Sequence, residues 1–259
     1  MRARLLFIAA LSTALALASL AHAEITQRGT LRITFKGSLS PHALPRQGSA
    51  PVRVTVGAKI ATTNGKTPPQ LRKISIAINR NGRFDPTGLP ICRLDQIQPS
   101  TTADALEACK DSLVGEGSFS AKVLLAGQAP FPSEGKVHAF NSRLNGRPAI
   151  LAHVYGTNPA PASYTLPFVI EERAKGTFGS VLVASLPKVT SNSGYVTGLE
   201  MTLGRNFSYR GKPRSYLSAG CPAPKGFPGA VFSFARASFG FGSKTVTSTL
   251  SRSCGVRGR

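Results

Sequence analysis

The 259-residue chain carries 32 Lys and Arg against 11 Asp and Glu, a formal charge of +21, and contains no Trp. So few carboxylates leave little material for acid–base catalysis, and the lack of Trp removes the best stacking platform for sugars. Beyond residue 23 no apolar run approaches the ~20 residues of a membrane-spanning helix.

Arg2 and Arg4 precede an apolar run from Leu5 to Leu20 and then Ala21-His22-Ala23. This is the charged start, apolar middle and small-residue cleavage site of a secretory signal peptide. Residues 1–23 are expected to be removed, leaving residues 24–259 as one exported β-sandwich domain; subtracting Arg2 and Arg4 from +21 leaves +19. No cysteine stands at the cleavage site, so a lipid anchor is not expected. The four cysteines suit an oxidising compartment and allow three pairings. Local pairing is expected, Cys92 with Cys109 and Cys221 with Cys254. No Cys-x-x-Cys spacing points to zinc, and no metal or cofactor is expected.

The positive charge is uneven. Residues 174–259 hold twelve Lys or Arg and one acid, Glu200, whereas residues 24–173 hold eighteen and ten. Such a field attracts anionic polymers or a membrane surface. Arg205, Arg210, Lys212, Arg214 and Arg236 are the candidate basic face. The plain counterpart is a solvated surface with no partner.

In chain order, Leu31, Ile33 and Phe35 alternate with Arg32, Thr34 and Lys36, and Val52, Val54 and Val56 repeat the pattern. Ile74, Ile76 and Ile78 do so again. These are half-buried strands separated by Gly- and Pro-rich turns. Asn79, Asn81 and Asp85 resemble part of a calcium loop, but Ala77 and Gly88 stand where acids are needed, so Asn81-Gly82 reads as a turn. The one strong helix signal follows Pro99. Ser100 or Thr101 can cap it, Asp104 sits at capping-box spacing from Thr101, and Gly115 is a plausible stop. Leu106, Cys109 and Leu113 share one face.

Phe119, Ala121, Val123 and Leu125 predict another strand, and residues 129–135 a loop. Asn145-Gly146 is a strong two-residue hairpin signal. It sets Leu144 opposite Arg147, Phe140 opposite Leu151 and His138 opposite His153. The two histidines become cross-strand neighbours, read as a structural pair that could sense mild acid; no third ligand on that face suggests a metal. Pro167 inside Leu166–Ile170 suggests an edge strand. Phe232 and Phe234 differ in parity from Phe239 and Phe241, which requires two buried faces or a bulge near residues 236–238. The RNA-recognition order of Gly and Phe is missing there, so no specific nucleic-acid motif is present.

There is no Gly-x-Ser-x-Gly elbow, phosphate loop or His-Glu-x-x-His. Adjacent Glu171 and Glu172 point to opposite faces of a strand. A glycosidase pair would have to come from distant residues such as Glu116, Glu134 and Glu200.

The runs Gln98–Cys109 and Tyr216–Phe239 resemble those of uncharacterised secreted proteins predicted in high-GC actinobacteria. That resemblance implies no activity, and it carries over no functional residue. The many short strands predict an all-β, antiparallel β-sandwich of Greek-key or jelly-roll type with one short disulfide-tethered helix. The leading functional expectation is a non-catalytic exported protein that binds anionic envelope or extracellular polymer. A carbohydrate-active enzyme or sugar-binding module, and a carrier of an apolar ligand between the sheets, are the alternatives.

Overall fold

The computed structural model describes residues 23–158, 160–186 and 194–258, so the expected leader lies outside the described residues except for Ala23. The first strand begins immediately after it. In chain order the strands are β1 (Glu24–Arg28), β2 (Leu31–Ser40), β3 (Ala43–Leu44), β4 (Ala50–Pro51), β5 (Arg53–Thr62), β6 (Lys73–Asn79) and β7 (Gly82–Phe84). Two helices follow, α1 (Leu94–Ile97) and α2 (Thr102–Cys109), with a 3-10 turn at Lys110–Ser112. Then come β8 (Leu113–Val123), β9 (Phe131–Leu144), β10 (Arg147–Gly156), β11 (Ala162–Glu172), β12 (Phe178–Ser185) and β13 (Gly194–Leu203). The chain finishes with β14 (Asn206–Tyr209), β15 (Lys212–Ser215), β16 (Leu217–Ala219), β17 (Gly229–Phe241) and β18 (Lys244–Val256).

The fold is all-β. Thirteen strands form one sheet in the order β1-β2-β5-β13-β8-β9-β10-β11-β12-β6-β17-β18-β3. Every pairing in it is antiparallel except β18 with β3. β13 inserts between β5 and β8, and β6 inserts between β12 and β17, so the chain crosses repeatedly between distant parts of the sheet, a Greek-key style of connection. The sheet rolls until β1 and β2 lie against β18. No ladder joins them there. Instead Arg28 Nη1 donates to the Thr245 carbonyl (2.7 Å) and Arg252 Nε to the Gly37 carbonyl (2.6 Å). Inside the roll, Phe35 meets the Phe239 ring edge-on, with centroids 6.3 Å apart.

The period-2 pattern explains this core. Leu31, Ile33, Phe35, Gly37 and Leu39 are buried on β2 while the residues alternating with them face outward. Leu31, Ile33, Phe35 and Leu39 join Val54, Ile74, Leu182, Phe239 and Leu250 in one continuous cluster. A smaller cluster lies on the outer face, where α1 and α2 set Ile97, Ala105, Cys92 and Cys109 against Phe140 of β9 and Leu151 of β10. Cys92–Cys109 and Cys221–Cys254 are both disulfide-bonded, as their spacing suggested.

The helix starts as expected. Thr101 caps α2, its hydroxyl accepting from the Asp104 N–H while the Asp104 carboxylate accepts from the Thr101 N–H. It ends earlier than Gly115, because the 3-10 turn hands the chain to β8 at Leu113. Several other expectations are corrected. Leu125 is exposed beyond the end of β8, and β9 already begins at Phe131 inside the expected loop. β11 is not an edge strand, since it lies between β10 and β12. Pro167 is accommodated because the ladder to β12 starts only at Val169, past the proline. The bulge in β17 falls between Ser233 and Ala235, not at residues 236–238, and it returns Phe234, Phe239 and Phe241 to the core. The Asn145-Gly146 turn has φ of +50° and +76° at its two residues, and the β9–β10 register is the expected one throughout. Among the described residues no helix is long and apolar enough to cross a membrane.

Candidate functional site

Strand directions bring the end of β8, the start of β9, the β10–β11 connection and the end of β12 to one pole of the roll. A cavity of about 320 Å³ opens there. Its walls include Phe119, Val123, Val154, Tyr164, Leu186 and Val196, all only partly covered. Its floor is shared with the packed core through Ile74, Ala152, Phe168 and Leu199. The Phe119 ring reaches its place because β9 has glycine at 135, where a Cβ would fall 2.6 Å from the ring. Polar groups are sparse. Ser133 and Tyr164 border the cavity, and Asn158 Nδ2 is occupied by the Pro132 carbonyl (3.1 Å). Burial pushes the Tyr164 phenol above its ordinary range, so it stays a neutral donor.

The candidate basic residues divide. Arg205 Nη1 donates to the Asp111 and Leu113 carbonyls (2.8 and 2.9 Å), just past the C-terminal end of α2, where a cation suits the helix dipole. Arg214 pairs with Asp85 at 2.7 Å. Partial burial pushes the Asp85 carboxyl up, but hydrogen bonds from Thr87 and the bond and charge of Arg214 outweigh it, and the net direction is down. Arg210 sits at the β14–β15 turn with φ +53°, and both it and Arg214 lie over the Tyr209 ring. Lys212 is exposed on the same hairpin. Arg236 stands apart from that hairpin, on β17, with its guanidinium 4.7 Å from the Phe178 ring centroid and Nε bonded to Thr249. Arg205, Arg214 and Arg236 are thus engaged within the protein.

His138 and His153 do face each other, inside a row Glu116–His138–His153–Thr165 that crosses β8 to β11. His153 is fully buried beneath the segment between α1 and α2. Its Nε2 lies 3.1 Å from the Ser100 carbonyl, which can only accept, so Nε2 carries the proton. His138 Nε2 is 4.0 Å from Glu116. Among the described residues neither Nδ1 has a partner. Burial pushes both imidazoles below their ordinary value. Glu116 offsets part of this for His138 and Lys136 adds to it; for His153 the Ser100 carbonyl offsets part and His138 adds. Among the described residues no cluster of three or more His, Cys, Asp or Glu could hold a metal.

The two lowered imidazoles make the fold less stable in acid. Each folded-state value lies below the ordinary ~6.5, so below that pH the unfolded chain binds protons that the folded chain refuses. The stability from the neutral pair is complete above pH ~6.5 and is lost as the pH falls below it. Thermal melts between about pH 7.5 and 5 should show this fall, and His138→Gln with His153→Gln should flatten it. Equal slopes in variant and wild type would refute it.

The carboxylates are mostly tied to separate partners. Glu171 meets Arg147, and Glu172 accepts from Ser180, in keeping with opposite faces. Glu134 and Glu200 border one outer-face groove of about 730 Å³, but Glu200 is ion-paired to Lys36 there.

The chain matches no protein-family model, no curated protein and no solved structure. Function must therefore come from the sites themselves. The cavity residues gave no warning in the sequence: Phe119, Val154 and Val196 have the alternation of any inward-facing strand residue. What sets them apart is their place at one pole of the roll, which the pairing of distant strands decides.

Proposed function

We propose that the protein is an exported, non-catalytic binder of an apolar ligand, seated in the end cavity of the roll. The end cavity carries this reading. Ligand sites are typically concave, largely apolar and about 300 Å³ or more, and this one has about 320 Å³ with Ser133 and Tyr164 as its few polar groups. Two disulfides and the leader pattern support an oxidising, extracytoplasmic setting. The reading as a binder of anionic polymer has less support at the five residues first singled out, since three of them are already engaged.

Magnitudes narrow the ligand. The cavity corresponds to about ten liquid-water volumes, room for an apolar group of roughly ten heavy atoms. Burying ten methylenes would contribute about 8 kcal/mol, and association would cost about 4 kcal/mol or more. The remainder corresponds to about millimolar affinity. A tighter ligand must extend beyond the cavity or bond to the Tyr164 hydroxyl. The cavity therefore suits the apolar end of a larger molecule.

N-phenyl-1-naphthylamine titrated into the full chain should give a saturable rise in fluorescence that about 0.5 M salt leaves unchanged. Val196→Trp or Val154→Trp, which fill the cavity, should weaken binding about tenfold. Unaltered titrations in both variants, or no saturation in the wild type, would overturn the reading.

A further inference from the structure

At the opposite pole of the roll, three arginines line a pocket of about 240 Å³. Arg80 follows β6, Arg83 lies on β7 and Arg173 follows β11; Gly179 and Ser180 of β12 complete the wall. The strand directions place these positions at the far ends of β6, β11 and β12 from the apolar cavity.

The frame of the pocket is fixed by main-chain bonds. Arg80 N–H donates to the Thr177 carbonyl (2.9 Å) and Arg173 N–H to the Gly179 carbonyl (2.7 Å). The Arg80 side chain locks the turn as well, with Nε on the Gly176 carbonyl (2.7 Å) and Nη2 on the Arg173 carbonyl (3.2 Å). Arg83 is held through its strand, paired with Ser218 of β16. One carboxylate, Glu172, borders the pocket, and both of its oxygens face the Ser180 hydroxyl at 3.0 and 3.1 Å. Among the described residues none of the three arginines is ion-paired. Three arginines line one small polar space whose single carboxylate is bonded to Ser180 of the same wall, so positive charge and donors are in excess. Guanidinium forks match the oxygens of phosphate and sulfate.

We propose that this pocket binds one phosphate or sulfate group. Arg83 and Arg173 supply the free forks, and Arg80 holds the rim in shape while contributing charge. The site is independent of the apolar cavity, and it gives the basic character of the chain one defined address.

The test uses the full chain purified without phosphate, titrated calorimetrically at low ionic strength with inorganic phosphate and with inorganic sulfate. The wild type should take up one equivalent of either ion. Arg83→Ala with Arg173→Ala should weaken uptake at least about tenfold. Arg32→Ala with Lys66→Ala removes the same charge from exposed positions elsewhere and should leave uptake unchanged. The source of the ion is read from two further arms. A fall in retention on poly(glycerol phosphate) in the first variant assigns the group to a polymer. A fall in retention on phosphatidylglycerol vesicles assigns it to a lipid headgroup, and a fall in neither leaves the free ion. Equal weakening in both double variants, or no uptake by the wild type, would overturn the proposal. Circular dichroism on each variant separates loss of the site from loss of the fold.

Discussion

Phe35→Ala should lower the stability of the folded chain by about 4 kcal/mol, within the range for an aromatic ring removed from a packed core. The ring is 1% exposed on β2 and packs edge-on against Phe239 of β17. What makes the site sensitive is the seam it spans. Elsewhere neighbouring strands of the roll share a ladder, which holds them in register even when a side chain is lost. Between β2 and β17–β18 the contacts are made by side chains: Phe35 on Phe239, Gly37 against Leu250, and Arg252 on the Gly37 carbonyl. A void there removes dispersion contacts from both layers at once. Urea unfolding followed by circular dichroism gives the measurement. A loss under about 1.5 kcal/mol would mean that the seam contributes little to holding the roll closed.

Replacing Cys221 and Cys254 together by serine should destabilise the chain by nearly as much, about 4 kcal/mol. The bridge spans 33 residues, and the chain-entropy relation gives roughly that figure for such a loop. It fastens the connector after β16 to β18, beside the backbone bond from Cys221 N–H to the Pro45 carbonyl. Both sulfurs are buried in the main core, so the loss should appear as one cooperative shift of the whole transition. Removing Cys92–Cys109, which spans 17 residues, should act differently. Its sulfurs belong to the small outer cluster under α1 and α2, and the expected effect is local opening of that cap, visible as faster amide exchange over residues 92–112. A global shift of equal size from both double variants would contradict this division.

Much of the fold could be read from the residues because its determinants are local. Alternation along Leu31–Phe35 assigns an inner face without knowing the partner strand. Asn145-Gly146 sets a turn, and the turn sets the pairing of His138 with His153. Thr101 and Asp104 sit close enough in sequence to define a helix start. The departures arise where the outcome depends on distant chain. Pro167 looked like an edge residue because its missing N–H matters only if a ladder runs past it, and where the β11–β12 ladder begins is set elsewhere. The displaced bulge at Phe234 reflects pairing with both β6 and β18. Helix α1 is a single turn held by reciprocal bonds between Arg93 and Gln96, too short for any periodicity. The candidate basic face shows the same limit for function. Charge counts reveal how many guanidinium groups exist, but not that Arg205 would be used on carbonyls near Leu113. The arginines of the proposed anion pocket come from sequence positions about ninety residues apart, joined by the bond from Arg80 to the Arg173 carbonyl.

The separation of the two poles has a consequence for how the molecule would handle two ligands. β11 runs the length of the roll in 11 residues, roughly 33 Å at the rise of an extended strand. Molecules bound at either end would not compete for space, and screening by salt would weaken any direct electrostatic influence of one on the other. Occupancy at the two ends should therefore be additive, so the chain could stay tethered by a charged group at one end while the other end loads and releases a greasy one.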